Sequence, residues 1–257
     1  MVKVYLLNRN ELGKINYKEE ELSVERRAGI ERFKREEDKE LSACAELLLV
    51  YALRKEGLSA PLPLDIKKAE NGKPYIEGGL QFNLSHAGDY AACAVSEEPV
   101  GIDIEYIKVK DLVSPDRILH PEEAQVLGFV SNPNEKKKYF FECWTMKESY
   151  LKNLGVGLSV RPGEFLVKED RLRIGDTEIQ TPRDMKHIIF ENWDKKFEPS
   201  KNLKLLEKRY VHCFEPGEIR GTDWKFDASY RASVATDVTE RKIEARLVTA
   251  EDINNYR

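Results

Sequence analysis

Val100-Gly101-Ile102-Asp103-Ile104-Glu105 reads as a short β-strand. Strand side chains alternate between faces, so Val100, Ile102 and Ile104 share an apolar side. Asp103 and Glu105 share the other, roughly 7 Å apart along the backbone. Two carboxylates so placed repel each other unless positive charge lies between them, and a hard divalent cation is a common solution. A solvated acidic edge strand would carry the same residues. The stretch alone leaves both readings open, and its neighbours have to decide.

Upstream, Glu97-Glu98-Pro99 is a turn, Tyr90 to Ser96 a buried strand, and Leu80 to Ser85 another strand set off by Gly78-Gly79. Asn71-Gly72-Lys73-Pro74 has turn chemistry, and Ala60-Pro61-Leu62-Pro63-Leu64 is a connector because proline excludes a helix. Ser42 to Lys55 is a helix, with Leu41, Ala45, Leu48, Leu49, Ala52 and Leu53 as its apolar stripe and Gly57 as its stop. Glu19 to Lys39 is heavily charged and reads as one or two amphipathic helical pieces weakened near Gly29. Val2 to Leu7 is the first strand.

Downstream the order repeats. Pro121-Glu122-Glu123 suits a helix first turn, and Glu135 to Leu154 is the longest helix, ended by Gly155. Strand-like pieces follow at Glu164 to Val167, Leu172 to Ile174, Lys186 to Phe190, Lys208 to Phe214 and Tyr230 to Thr236, and Thr239 to Arg257 reads as a charged tail with little core content. Helix then strands, twice, predicts an α+β fold of two similar halves, residues 1–98 and 99–257, joined near Glu97 to Pro99. Cys44 and Tyr51 in one helix match Cys143 and Tyr150 in the other at the same spacing.

The chain has 257 residues, enough for one large core or two modest ones. Hydrophobic residues make 41% and charged residues 34%, the balance of a soluble globular protein. A formal charge of −4 argues against nucleic-acid binding through bulk charge. Cys44, Cys93, Cys143 and Cys213 form no CxxC pair, which favours free buried thiols over a disulfide framework or a zinc site. Met1 to Arg9 is charged too early for a signal peptide, and no apolar run reaches membrane-spanning length. The expectation is a soluble cytoplasmic protein.

Two further stretches bear on the acids of the opening strand. In Phe140 to Lys152, Phe140, Trp144 and Leu151 form an apolar face, with Glu148 at i+4 from Trp144 and Lys152 at i+4 from Glu148. Glu148 and Lys152 make either an ordinary surface pair or a third metal-binding acid flanked by Lys147 and Lys152 for phosphate oxygens. In Phe82-Asn83-Leu84-Ser85-His86-Ala87-Gly88, the hydroxyl, the imidazole and the turn N–H groups suit an anion. Adjacent strand residues diverge, which weakens a serine-hydrolase reading, and neither a Gly-x-Ser-x-Gly elbow nor a Walker loop is present.

Gly72-Lys73-Pro74, Phe82 to His86, Gly101 to Glu105 and Trp144 to Lys152, followed by Gly155-Val156-Gly157-Leu158-Ser159, together resemble the 4′-phosphopantetheinyl transferases of the larger, surfactin-synthetase-activating type. The resemblance covers nearly the whole chain. It implies a pseudo-dimer of two α+β halves with the active site in the cleft between them. The implied reaction moves the 4′-phosphopantetheine arm of coenzyme A to a serine of an apo acyl or peptidyl carrier protein and releases adenosine 3′,5′-bisphosphate. Carried over by position, Asp103, Glu105 and Glu148 would hold Mg²⁺, and Glu148 would also act as general base. Lys147 and Lys152 would bind pyrophosphate oxygens, Ser85 and His86 the coenzyme A phosphates, and Lys73 would lie by the adenosine end. The chain departs from the family at Leu41, where an Arg for the 3′-phosphate is usual, and at Gly29, where the second of two spaced basic residues is expected. Arg26 matches the first, and Arg27 or Lys39 has the reach to compensate. The two internal halves remove the need for a second subunit, so a monomer is expected. The alternatives are a degenerate homologue that binds coenzyme A or a carrier without turnover, and a metal-dependent phosphohydrolase using the same three acids.

Overall fold

The computed structural model describes residues 1–107, 115–169, 172–174, 177–179, 186–189, 209–214, 217–219, 228–237 and 242–256. The first half opens with strand β1 (Val2–Asn8), helix α1 (Val24–Ile30) and the long helix α2 (Glu36–Lys55). A small ribbon of β2 (Lys67–Lys68) and β3 (Pro74–Tyr75) leads to β4 (Gln81–Ala87) and β5 (Tyr90–Ser96). The second half begins at β6 (Gly101–Tyr106), the acid-bearing strand. Helices α3 (Pro115–Ile118), α4 (Pro121–Phe129) and α5 (Pro133–Leu154) follow it. After them come β7 (Leu166–Glu169), a ribbon of β8 (Leu172–Ile174) and β9 (Thr177–Ile179), then β10 (Lys186–Ile189), β11 (Tyr210–Cys213) and β12 (Tyr230–Thr236). The described chain ends with β13 (Ile243–Val248) and α6 (Ala250–Asn254).

Two sheets lie face to face between two long helices. One has the order β13-β1-β5-β4 and the other β6-β12-β11-β10-β7. Alternation of side chains explains the layering. Val4, Leu6, Ala92 and Ala94 face Ile102, Ile104, Ala232 and Val234 across the inter-sheet core. The opposite faces of the same strands bury Leu7, Ala91, Cys93 and Val95 against α2. On the far side of the second sheet, Met146, Tyr150 and Leu151 of α5 pack on Val211 and Ala235. The α+β architecture is the predicted one.

Both long helices obey the dipole. α2 starts on Glu36, Glu37 and Asp38 and ends on Arg54 and Lys55, and α5 starts on Glu135 behind an Asn132 cap. The charged stretch before α2 does break into two pieces, but between Ile30 and Glu36 rather than at Gly29.

The expected charged tail is a correction. β13 pairs in parallel with β1 from Val2↔Ile243 to Leu7↔Val248, and Leu247, Val248, Ala250 and Ile253 are buried. Its Glu244 and Arg246 alternate with Ile243, Ala245 and Leu247, so the half-buried period of an edge strand lay beneath the charge. The expected strand positions Lys208 and Phe190 fall outside the described residues. Glu164 belongs to a short 3₁₀ turn before β7. Among the described residues no helix is long and apolar enough to cross a membrane.

Candidate active site

The site grows from a meeting of sheet edges. β6 pairs with β12 on one side only, so backbone N–H groups on its other side need partners. Side chains of β4 supply them: Asn83 Oδ1 accepts from the Ile102 N–H at 2.9 Å and Ser85 Oγ from the Ile104 N–H at 3.4 Å. Ser85 Oγ in turn donates to Asp103 Oδ1 at 2.9 Å. β4 thereby sets the depth at which the first acid sits, with Asp103 only 4% exposed.

Helix α5 crosses the start of β6 without a gap. A Cβ on Gly101 would collide with the backbone of Ser149 and Asn153, so only glycine lets the helix this close. Trp144, Glu148 and Lys152 recur at i+4 and run along the face of α5 that covers Glu105 and Asp103. The Trp144 indole N–H donates to Glu105 Oε1 at 3.0 Å. Lys152 Nζ reaches Asp103 Oδ1 at 2.6 Å and Ser85 Oγ at 3.1 Å. Opposite Asp103 in the strand register, Ser233 shares a 2.8 Å hydrogen bond with Thr145 of α5.

Two carboxylate oxygens are left over. Asp103 Oδ2 and Glu148 Oε1 are buried and have no hydrogen-bond partner among the described residues. Burial raises the Asp103 carboxyl above the ordinary range, with Lys152 and Ser85 opposing. Burial, then the charge of Asp103, raises Glu148, with Lys152 again opposing. A pair of orphaned acid oxygens beside one ammonium has the donor chemistry of a cation-binding site. The expected trio of acids is not gathered, because Glu105 is held to the indole; among the described residues no group of three His, Cys, Asp or Glu side chains is assembled around one point.

Other expected residues divide into two groups. Arg26 and His86 lie on the site side. Arg26 Nε bonds Glu46 at 3.1 Å and Nη1 bonds Ser42 at 3.2 Å. His86 is exposed at the end of β4; desolvation by the surrounding protein, then Arg26 and Lys152, lower its imidazole pKa.

Lys147 is a correction. It is fully buried, bonding Glu123 at 2.5 Å and the carbonyls of Ile118 and Pro162 at 2.8 and 2.9 Å. Adjacent helix residues point about 100° apart, so Lys147 leaves the face that Glu148 and Lys152 share. Lys73 also turns inward, donating to the carbonyls of Val100 at 3.1 Å and Asn153 at 2.9 Å. Leu41 is buried on α2, Lys39 pairs with Glu36 at 3.0 Å, and Arg27 Nε is buried without a hydrogen-bond partner among the described residues. Asn83, Trp144, Ser233 and Asn153 are structural participants that the sequence reading did not assign to the site. The strand alternation of Asn83 with Phe82 and Leu84 was the available signal for the first.

Comparison with known proteins gives consistent matches. A family model described as 4′-phosphopantetheinyl transferase, N-terminal, matches residues 14–98, and the model of the 4′-phosphopantetheinyl transferase superfamily matches residues 99–214. A 4′-phosphopantetheinyl transferase of Bacillus subtilis is 32% identical over 177 residues, which is 67% of this chain and 77% of that protein. The transferase psf-1 of Bacillus pumilus is 38% identical over 151 residues, 57% of this chain and 64% of its own length. The transferase Sfp of Bacillus subtilis strain 168 is 31% identical over 149 residues, 57% of this chain and 66% of its own length.

Proposed function

The chain belongs to the 4′-phosphopantetheinyl transferase family, of the surfactin-synthetase-activating type, and we propose that it moves the 4′-phosphopantetheine group of coenzyme A to a serine of an apo acyl or peptidyl carrier protein. The observation that carries this reading is that the Asp103 and Glu148 carboxylates each keep an oxygen without a hydrogen-bond partner among the described residues, beside Lys152 and Ser85, which hold Asp103 Oδ1.

In this reading the carrier serine oxygen attacks the phosphorus that bears the pantetheine arm. The bond from that phosphorus to the bridging pyrophosphate oxygen breaks, and adenosine 3′,5′-bisphosphate departs. Glu148 takes the hydroxyl proton. Its unpartnered oxygen and its upward-shifted pKa, caused by burial and then by Asp103, suit a general base. Lys152 stabilises charge on the pyrophosphate and, beside Asp103, opposes the upward shift that burial gives that carboxyl. Ser85 and His86 meet the coenzyme A phosphates from β4, with Arg26 behind them. Asp103 and Glu148 would hold Mg²⁺, with Glu105 next along the same strand face. Mg²⁺, when bound, supplies neutralisation of the phosphate oxygens.

The same reading takes residues 1–98 and 99–257 as the two halves of one monomeric, cytoplasmic protein, with β13 returned to the first sheet. Incubation with coenzyme A, Mg²⁺ and several apo carriers tests it. The expected result is a mass gain of one phosphopantetheinyl group on the carrier serine. Release of nucleotide with no gain on any carrier would overturn the assignment.

A further inference from the structure

At the C-terminal end of α5 three elements converge that are far apart in sequence. α5 stops at Gly155, whose φ of 69° reverses the chain. A Cβ there would also strike the Asn71 amide, so the turn before β3 sits directly on the helix end. From that turn Lys73 extends its ammonium beneath the helix to the carbonyl of Asn153 and, beyond it, to the carbonyl of Val100 at the entry to β6. The last carbonyls of a helix have no partner within it, and a cation there also opposes the dipole.

Asn153 completes the joint from the other side. It is 3% exposed, and its Nδ2 donates to Pro99 O at 2.6 Å and Ala235 O at 3.1 Å. Arg209 Nε donates to its Oδ1 at 2.9 Å. One amide thus holds the linker before β6, the end of β12 and the residue preceding β11. Glu148 and Lys152 are carried on α5 and Asp103 and Glu105 on β6, so the separation of these two elements fixes the site.

We infer that Lys73 and Asn153 are positioning residues which clamp α5 to β6 and so hold Glu148 and Lys152 at their working distance from Asp103. The inference rests on the proposed transfer reaction, and it gives Lys73 a different duty from that of a coenzyme A contact. A side chain that binds substrate equally in ground and transition states changes KM, whereas one that sets the geometry of reacting groups changes kcat. The contacts support the assignment: Lys73 is half-buried with its ammonium on two backbone carbonyls, and desolvation, then Arg209, lowers its pKa to about 8. A neutral amine still has two N–H donors for its two carbonyls.

The test uses the full chain with Trp193→Phe and Trp224→Phe, which leaves Trp144 as its one tryptophan. In that background Lys73→Met is expected to lower kcat about tenfold, with KM for coenzyme A changed less than about twofold. Its Trp144 emission is expected to shift to the red as the indole leaves Glu105. Lys73→Arg, which keeps donors at the joint, should recover most of both losses. Asn153→Ser removes the amide arm but keeps the backbone carbonyl, and it carries the same signature should Lys73→Met fail to fold. A raised KM with unchanged kcat and unchanged Trp144 emission would overturn the inference and make Lys73 a ligand contact. If the wild type modifies no carrier, the transfer reading fails separately, and the Trp144 emission of the variants still decides whether the clamp exists.

Discussion

Each long helix of this molecule buries a carboxylate, and the two helices treat it in opposite ways. On α2, Glu46 is fully buried and saturated. It accepts from Ser23 N at 2.5 Å, Ser23 Oγ at 2.8 Å and Arg26 Nε at 3.1 Å. On α5, Glu148 keeps one buried oxygen without a donor among the described residues, and the strand beneath it does the same at Asp103. A charge removed from water is costly unless its hydrogen-bonding capacity is filled. The first helix fills it and gains a fixed position for α1. The second leaves it unfilled among the described residues, at a cost to stability that a cation or substrate bound there in the proposed reaction would offset. Two helices in equivalent places have thus divided structure from chemistry.

Substitutions can break or sharpen that contrast. The largest expected effect is on transfer: Asp103→Ala should lower single-turnover rates on the order of 10³-fold. Its urea midpoint should fall less than that of Glu46→Ala, and a larger fall would mean that Asp103 is a structural acid like its counterpart. Glu46→Ala should cost about 3 kcal/mol in urea unfolding, because Arg26 and Ser23 lose a buried partner. A loss within the range of a surface ion pair would show that α1 is held by other contacts.

Next in size is a pH effect at the end of α5. Burial, then Arg209, lowers the Lys73 pKa to about 8 in the folded protein, from the ordinary lysine value of 10.5. Between those values the unfolded chain binds more protons than the folded one, so stability rises as pH increases through that window. Lys73→Met should flatten that part of a stability–pH curve, and an unchanged slope would place the ammonium in solvent. The smallest effect belongs to the exposed rim of α2. Lys39→Ala removes an i,i+3 pair with Glu36 and should change stability by about 0.3 kcal/mol, measured by the same unfolding assay.

Periodicity carried much of the site in the sequence. Alternation put Asp103 and Glu105 on one strand face, and i+4 spacing put Glu148 and Lys152 on one helix face; these facing relations are seen in the structure. Lys147 failed because adjacency in sequence was read as adjacency in space, which a helix does not allow. Asn83 and Asn153 stayed illegible for another reason. Their partners are backbone groups of distant segments, and backbone groups leave no mark in a sequence. The last strand was hidden because an exposed edge tolerates charge at every second position.

That strand also governs the order of assembly. Lys242 O receives the Val2 N–H, and six successive residue pairs then join β1 to β13 across almost the full described chain. β1 precedes β13 in the chain, so that edge of β1 lacks this partner until the second half has been made. Such a contact carries the entropy of a very long loop, so it forms late. The sequence divides near residue 98, but the first sheet closes only with the last strand. A fragment ending before Ile243 is therefore expected to expose the edge of β1 and to associate with itself.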